Sequence, residues 1–252
     1  MSGKIHYNKA NETLPDVMGN ADSLITFLQY NALNRGEWTV KIWDGFIRGY
    51  HWLQLVLIGG CWWTAEEAEM GWHMTLAACL GALWITRILW GFIGSENARF
   101  TSFIKGPGAI RQYAASILSG KPTNHTGHNP MGALMVVALL LVIGMQWVSG
   151  LFATDEIFTE GPLVQYVSAE TATTFSQLHH LIFNFIIGFV VIHVLAVIVY
   201  RIKGERLAEA MVSGKRKDMV DADVTAPKLK NGLIAWAMFL PIWGGCYYWI
   251  VG

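Results

Sequence analysis

The sequence predicts an all-α integral membrane protein, and three observations carry that prediction. First, 53% of its 252 residues are apolar without counting glycine and only 14% are charged, whereas soluble domains run to about 45–50% apolar, glycine included, and about 25% charged. Second, five predominantly apolar windows, Phe46–Trp63, Trp72–Ile93, Met131–Ala153, Leu178–Tyr200 and Gly232–Val251, approach or exceed the roughly 20 residues that cross a bilayer as a helix. Third, the 18 lysines and arginines that balance 18 aspartates and glutamates alternate, loop by loop, between several and none. A disordered chain is excluded, and an ordinary cytosolic enzyme is disfavoured.

The first window is the least apolar, because Arg48, His51 and Gln54 lie in it, but its centre from Leu53 to Trp63 is greasy. Before it lie Lys4, Lys9, Arg35 and Lys41. The loop 64–71 holds Glu66, Glu67 and Glu69 without a cation, and the next holds Arg99, Lys105, Arg111 and Lys121. The loop 154–177 again has only acids: Asp155, Glu156, Glu160 and Glu170. Eight cations follow the fourth window, from Arg201 to Lys230, and Arg87 sits near the cation-rich end of the second. By the positive-inside rule the N-terminus is cytoplasmic and the fifth span ends outside.

Outside the windows, Ala21–Leu33 reads as an amphipathic surface helix, and Arg201–Gly214 as a cytoplasmic extension of the fourth helix that stops at Gly214. The polar N-terminus does not read as a cleaved signal peptide. Cys61, Cys79 and Cys246 are scattered in apolar stretches and form no disulfide framework. The expected organisation is an N-terminal extension over 1–45, a four-helix unit with its tail over 46–217, and a linker with a fifth helix over 218–252.

Five of the eight histidines, His51, His73, His179, His180 and His193, fall in or at the ends of spans, where polar groups are costly and usually mark function. His179 and His193 are 14 residues apart. At about 100° and 1.5 Å per residue they share a helix face about 21 Å apart along the axis; His180 does not. Helix direction then pairs His51 with His193 near the inner side and His73 with His179 near the outer side. Two imidazoles per level, with no thiolate or carboxylate, suit six-coordinate haem iron in electron transfer better than zinc, which takes three or four protein ligands. Arg87 lies 14 residues after His73 on the same face. It needs a counter-ion, which a haem propionate would supply, or else it snorkels to the headgroups. The competing reading is a transporter or channel in which the histidines relay protons; a membrane anchor leaves the 14-residue spacing without a purpose.

The chain resembles the bacterial membrane cytochrome b subunits of nickel-iron hydrogenases and their dihaem, cytochrome b561-like relatives. The matching stretches are R-G-Y-H-W at Arg48–Trp52, G-W-H at Gly71–His73, R-I-L-W-G-F-I-G at Arg87–Gly94 and G-H-N-P at Gly127–Pro130. With them go S-G at Ser149–Gly150, H-x13-H at His179–His193 and M-V-x-G-K at Met211–Lys215. The resemblance implies a four-helix bundle in the bacterial inner membrane. Such a bundle would hold two b haems through His51, His73, His179 and His193, with Arg48, Arg87 and His128 as candidate cofactor-binding residues. It further implies an electron-transfer subunit of an oxidoreductase complex, with quinone chemistry near the cytoplasmic-side haem and electrons entering from a periplasmic partner, a hydrogenase or a c-type cytochrome. His128 either delivers protons to quinone, pairs with a propionate, or simply starts a helix before Pro130. The N-terminal extension and fifth span depart from the family pattern.

Overall fold

The computed structural model describes residues 39–119, 127–216 and 226–252. Eight helices dominate them: α1 (Gly45–Glu66), α2 (Met70–Ile93), α3 (Phe100–Phe103), α4 (Pro107–Leu118), α5 (Pro130–Leu151), α6 (Ala169–Ile202), α7 (Leu207–Ser213) and α8 (Leu233–Val251). Each of the five apolar windows is thus a helix. Four of these helices, α2, α5, α6 and α8, are both long and apolar enough to cross a membrane. The protein is a helical membrane protein, with α1 22 residues long and less apolar for the polar residues named above. The Ala21–Leu33 segment lies outside the described residues.

Helix starts follow their sequence signals. The Asp44 carboxylate accepts the backbone N–H of Ile47 at 2.9 Å, capping α1. Asn129 does the same for Gly132 at 2.7 Å ahead of Pro130, a residue suited to the first helical turn. Asp44 also accepts the Trp90 indole N–H at 3.1 Å, joining the start of α1 to the end of α2. At the same end two short strands, β1 (Val40–Lys41) and β2 (Lys215–Arg216), pair antiparallel and tie the entry of α1 to the tail. Here the structure departs from the sequence expectation. The fourth helix does not extend to Gly214: it ends at Ile202, Gly204 adopts φ +93°, and α7 begins as a separate helix. A positive φ accessible chiefly to glycine interrupts the α-helix, so charge and amphipathicity alone overestimate its length. Gly214, at φ +78°, does end α7.

α8 packs along α2 and contributes Ala235 and Phe239 to the core that Phe46, Tyr50, Leu83 and Trp90 share. Lys230 fastens its start, with Nζ donating to the Ile93 carbonyl at 2.6 Å. α6 packs chiefly on α5. Between α2 and α5 the contact is reciprocal, because both helices read G-x-x-W. The Trp84 indole covers Gly144 and donates to the Leu140 carbonyl at 2.8 Å; the Trp147 indole covers Gly81 and donates to the Ala77 carbonyl at 3.0 Å. Only glycine leaves room for an indole to lie against the opposing backbone.

The acidic loop between α5 and α6 is built around Asp155, whose Oδ1 accepts the backbone N–H groups of Ile157, Phe158 and Thr159 at 2.8–2.9 Å. Glu156 sits at φ +61° and accepts a hydrogen bond from the Thr173 hydroxyl. The backbone donors, that of Thr159 foremost, hold the Asp155 carboxyl down to about 2 from an ordinary 3.8. A depressed folded value means that the turn's stabilisation is complete above about pH 4 and is lost as the pH falls toward 2. Hydrogen exchange at the amides of 157–159, corrected for its intrinsic pH dependence, is expected to stay flat from pH 7 to about 4 and to accelerate below. Asp155→Ala is expected to show the fast exchange at every pH.

Candidate functional site

The antiparallel run of α1 and α2 sends His51 toward the cation-rich end of the bundle and His73 toward the acidic end. α6 supplies a histidine at each level. The ring centres of His51 and His193 are 6.2 Å apart, and those of His73 and His179 are 6.3 Å apart. A metal–imidazole bond of about 2 Å, with the ring centre about 1.2 Å behind the nitrogen, puts two opposed ligands about 6.4 Å apart, centre to centre. Both pairs therefore have the separation that one metal ion bound between two imidazoles requires. Among the described residues no cluster of three or more His, Cys, Asp or Glu is suited to a metal, so each level offers imidazole pairs alone.

Neighbouring polar groups orient the rings at the acidic end. His73 Nδ1 lies 2.8 Å from the Cys61 carbonyl. His179 Nδ1 lies 3.0 Å from the Gln146 carbonyl. As donors to these carbonyls, both Nδ1 atoms carry the proton, which leaves the Nε2 lone pairs as the ones available to a metal. The Gln146 side-chain amide nitrogen rests 3.0 Å from His179 Nε2, and Ser149 Oγ is 3.1 Å from Nδ1. A Cβ on Gly150 would lie 3.0 Å from the His179 ring, so glycine there makes room for the imidazole. A cavity of about 470 Å³ opens on His73 and His179, reaching the Asp155 loop on one side and Ile186 on the other. His180 lines it too but is exposed, with its ring centre 6.4 Å from that of His179.

At the cation-rich end the structure gathers positive charge. Arg87 is only 3% exposed, and its guanidinium lies 5.9 Å from the Tyr50 ring centre and 5.4 Å from that of Phe100. The contacts are weak cation–π interactions and satisfy none of its hydrogen-bonding groups directly. Arg48 donates through one terminal nitrogen to the Val212 carbonyl at 2.8 Å. His128 is held between the rings of Trp43 and Phe103, with centres 4.7 and 5.1 Å away. Burial, with a smaller push from the Arg87 charge, lowers its pKa to about 3, so its ring is neutral at physiological pH. Arg48 Nε, Arg87 Nη1, Arg99 Nε and His128 Nδ1 are all buried without a hydrogen-bond partner among the described residues. Such orphans are costly, and Arg87 lies close enough to His128 for its charge to act on that ring; a bound anion with several oxygens there would satisfy them.

Arg99, Gln146, Trp43 and Phe103 are absent from the sequence-based candidates. Gln146 is the one with a signal, a lone amide inside an apolar run. Arg99 sits in a loop where cations are ordinary.

These features define a membrane-embedded helical protein with two histidine pairs stacked across it. Over residues 42–214 the chain matches the family model described as prokaryotic cytochrome b561. The chain belongs to that family, and is therefore a membrane b-type cytochrome that binds haem and works in electron transfer. No curated protein and no solved structure matches it. The residues present fit haem on two independent grounds, the separation of the imidazoles and the orphaned donors awaiting an anion.

Proposed function

We propose that this cytochrome holds two b haems, one between His51 and His193 and one between His73 and His179. It would then carry electrons between a periplasmic redox partner and the membrane quinone pool. The observation that carries the reading is the 6.2 and 6.3 Å separation of the two pairs, which is the spacing that an iron held between two imidazoles would need at each level. Bound haem supplies reversible one-electron chemistry, tuned by its axial ligands and surroundings.

The chain's own groups do the rest. The carbonyls of Cys61 and Gln146 fix the proton on Nδ1 of His73 and His179 and so present Nε2 to iron. Arg48, Arg87, Arg99 and neutral His128 would receive the propionates of the inner group through charge-assisted hydrogen bonds. Quinone would react near the cation-rich end. His128 would act there as a neutral hydrogen-bonding group; a carboxylate brought beside it raises its pKa again.

The N-terminus is assigned to the cytoplasm and the C-terminus to the periplasm of a bacterial inner membrane. The periplasmic partner, a hydrogenase or a c-type cytochrome, would meet a face carrying Glu66, Glu67, Glu69, Asp155, Glu156, Glu160 and Glu170. Such a surface steers a basic docking face.

Purified protein is expected to show sharp reduced-minus-oxidised bands of low-spin b haem, with two haems per chain by pyridine haemochrome. Colourless protein from haem-replete cells would instead favour a proton relay. Electron exchange with a lysine-rich c-type cytochrome is expected to slow steeply between low and physiological salt, and salt-independent exchange would rule out the acidic docking face.

A further inference from the structure

The helix that supplies a histidine to both pairs also carries polar and small residues on its opposite face. At about 100° per residue, Gln177, Asn184, Gly188 and Leu195 lie within about 20° of the direction opposite the mean of His179 and His193. They belong to a heptad-spaced row, Gln177, Leu181, Asn184, Gly188, Val191, Leu195, Ile198 and Ile202, and every member is exposed. Asn184 lies about 8 Å along the axis from His179 and about 14 Å from His193, close to midway between the two histidine levels. It is therefore near the middle of the bilayer and faces away from its own bundle. Among the described residues its side chain makes a single hydrogen bond, Nδ2 to the His180 carbonyl at 3.3 Å. One N–H and the carbonyl oxygen remain. Hydrocarbon offers them nothing, and each unmet group there is costly. One turn further on, nothing lies within 4 Å of the position a Cβ on Gly188 would take.

We infer that this face of α6 is a homodimer interface in which Asn184 pairs with Asn184 of a second copy across a two-fold axis normal to the membrane. Copies of one chain insert with the same orientation, so each presents Asn184 at the same depth. A two-fold axis along the membrane normal then brings identical residues together. The carboxamide is self-complementary: the N–H of each donates to the carbonyl oxygen of the other. A foreign helix would have to carry a polar group matched to this depth. Gly188 allows the backbones to approach where the amides meet, and the row of apolar residues continues the contact with the spacing of a two-stranded coiled coil, in which a buried Asn sets register and number. The interface lies opposite the histidines and does not depend on how they bind haem.

The test uses the full chain, haem-loaded, in native membranes and in mild detergent. Val191→Cys is expected to give a disulfide-linked dimer on mild oxidation, above the wild-type background set by Cys61, Cys79 and Cys246. Leu240→Cys, exposed on α8, is expected to stay at background. Asn184→Leu is expected to keep the haem spectrum while weakening dimerisation about 3- to 30-fold by native mass spectrometry across a dilution series. Equal cross-linking at positions 191 and 240, a wild type that is monomeric at every protein-to-detergent ratio, or an Asn184→Leu variant that dimerises like wild type would each overturn the inference. So would a Val191→Cys adduct formed only with another polypeptide.

Discussion

On the proposed ligation, His73→Ala is expected to lose about half of the bound haem, because one pair would lose an imidazole while the other is untouched. His179 alone cannot hold the iron in the six-coordinate low-spin state. Its Nε2 already has a competing partner in the Gln146 amide 3.0 Å away, which would reclaim it. A haem held between His51 and His193 should keep its low-spin bands and its EPR signal, because α6 places His193 about 21 Å from His179 along its axis. His193→Ala is expected to give the complementary loss, and the two difference spectra should sum to that of the wild type. Retention of two bis-histidine haems in His73→Ala would falsify the pairing. Complete loss of haem in either variant would mean that the two levels are not independent. Haem content and EPR on the same preparation distinguish these outcomes.

Gly81→Ala is expected to destabilise the bundle by about 2–4 kcal/mol, summing an overpacking cost and a lost hydrogen bond. The new methyl would collide with the Trp147 indole, the ring that covers Gly81 and donates to Ala77. The indole cannot tilt away within its pocket without releasing that carbonyl. Trp147 also lines the acidic-end cavity, so the damage should reach the His73 and His179 level first. Thermal release of haem in detergent is expected to begin at lower temperature for that level than for the other. Gly144→Ala strikes the mirror contact, under Trp84 at 2.6 Å, and should destabilise comparably. If either variant matched wild type in the thermal scan, the lock would not be what holds α2 against α5.

Much of this architecture is written in local properties. Five hydrophobic windows became helices because a bilayer requires both apolarity and satisfied backbone groups, and both are legible residue by residue. The placement of His179 and His193 on one face follows from helical pitch alone. The companion residues follow from neither. Arg99 has its Nε buried and unpartnered among the described residues, in a loop whose path is set by tertiary packing. Trp43 and Phe103 bracket His128 from two further segments, and no spacing along the chain announces a three-part contact. G-x-x-W in α2 and α5 is visible on inspection, yet it is a pair only because the two helices are antiparallel neighbours in matching register. The break after Ile202 was lost for a different reason. Gly204 lies among charged residues that continue an amphipathic pattern, and periodicity does not register a single reversal of φ.

The packing of α6 has a consequence for assembly. It carries a histidine at each level, yet its own helix partner is chiefly α5, while the histidines opposite it belong to α1 and α2. Each haem would thus act as a cross-brace between two halves of the bundle, α1–α2–α8 on one side and α5–α6 on the other. Biogenesis then has a natural order: the two halves insert and find each other through the tryptophan contacts, and the prosthetic groups clamp α6 last. Cells starved of haem should accumulate a chain whose α6 is cut by protease from the membrane edge while α2 and α8 stay protected.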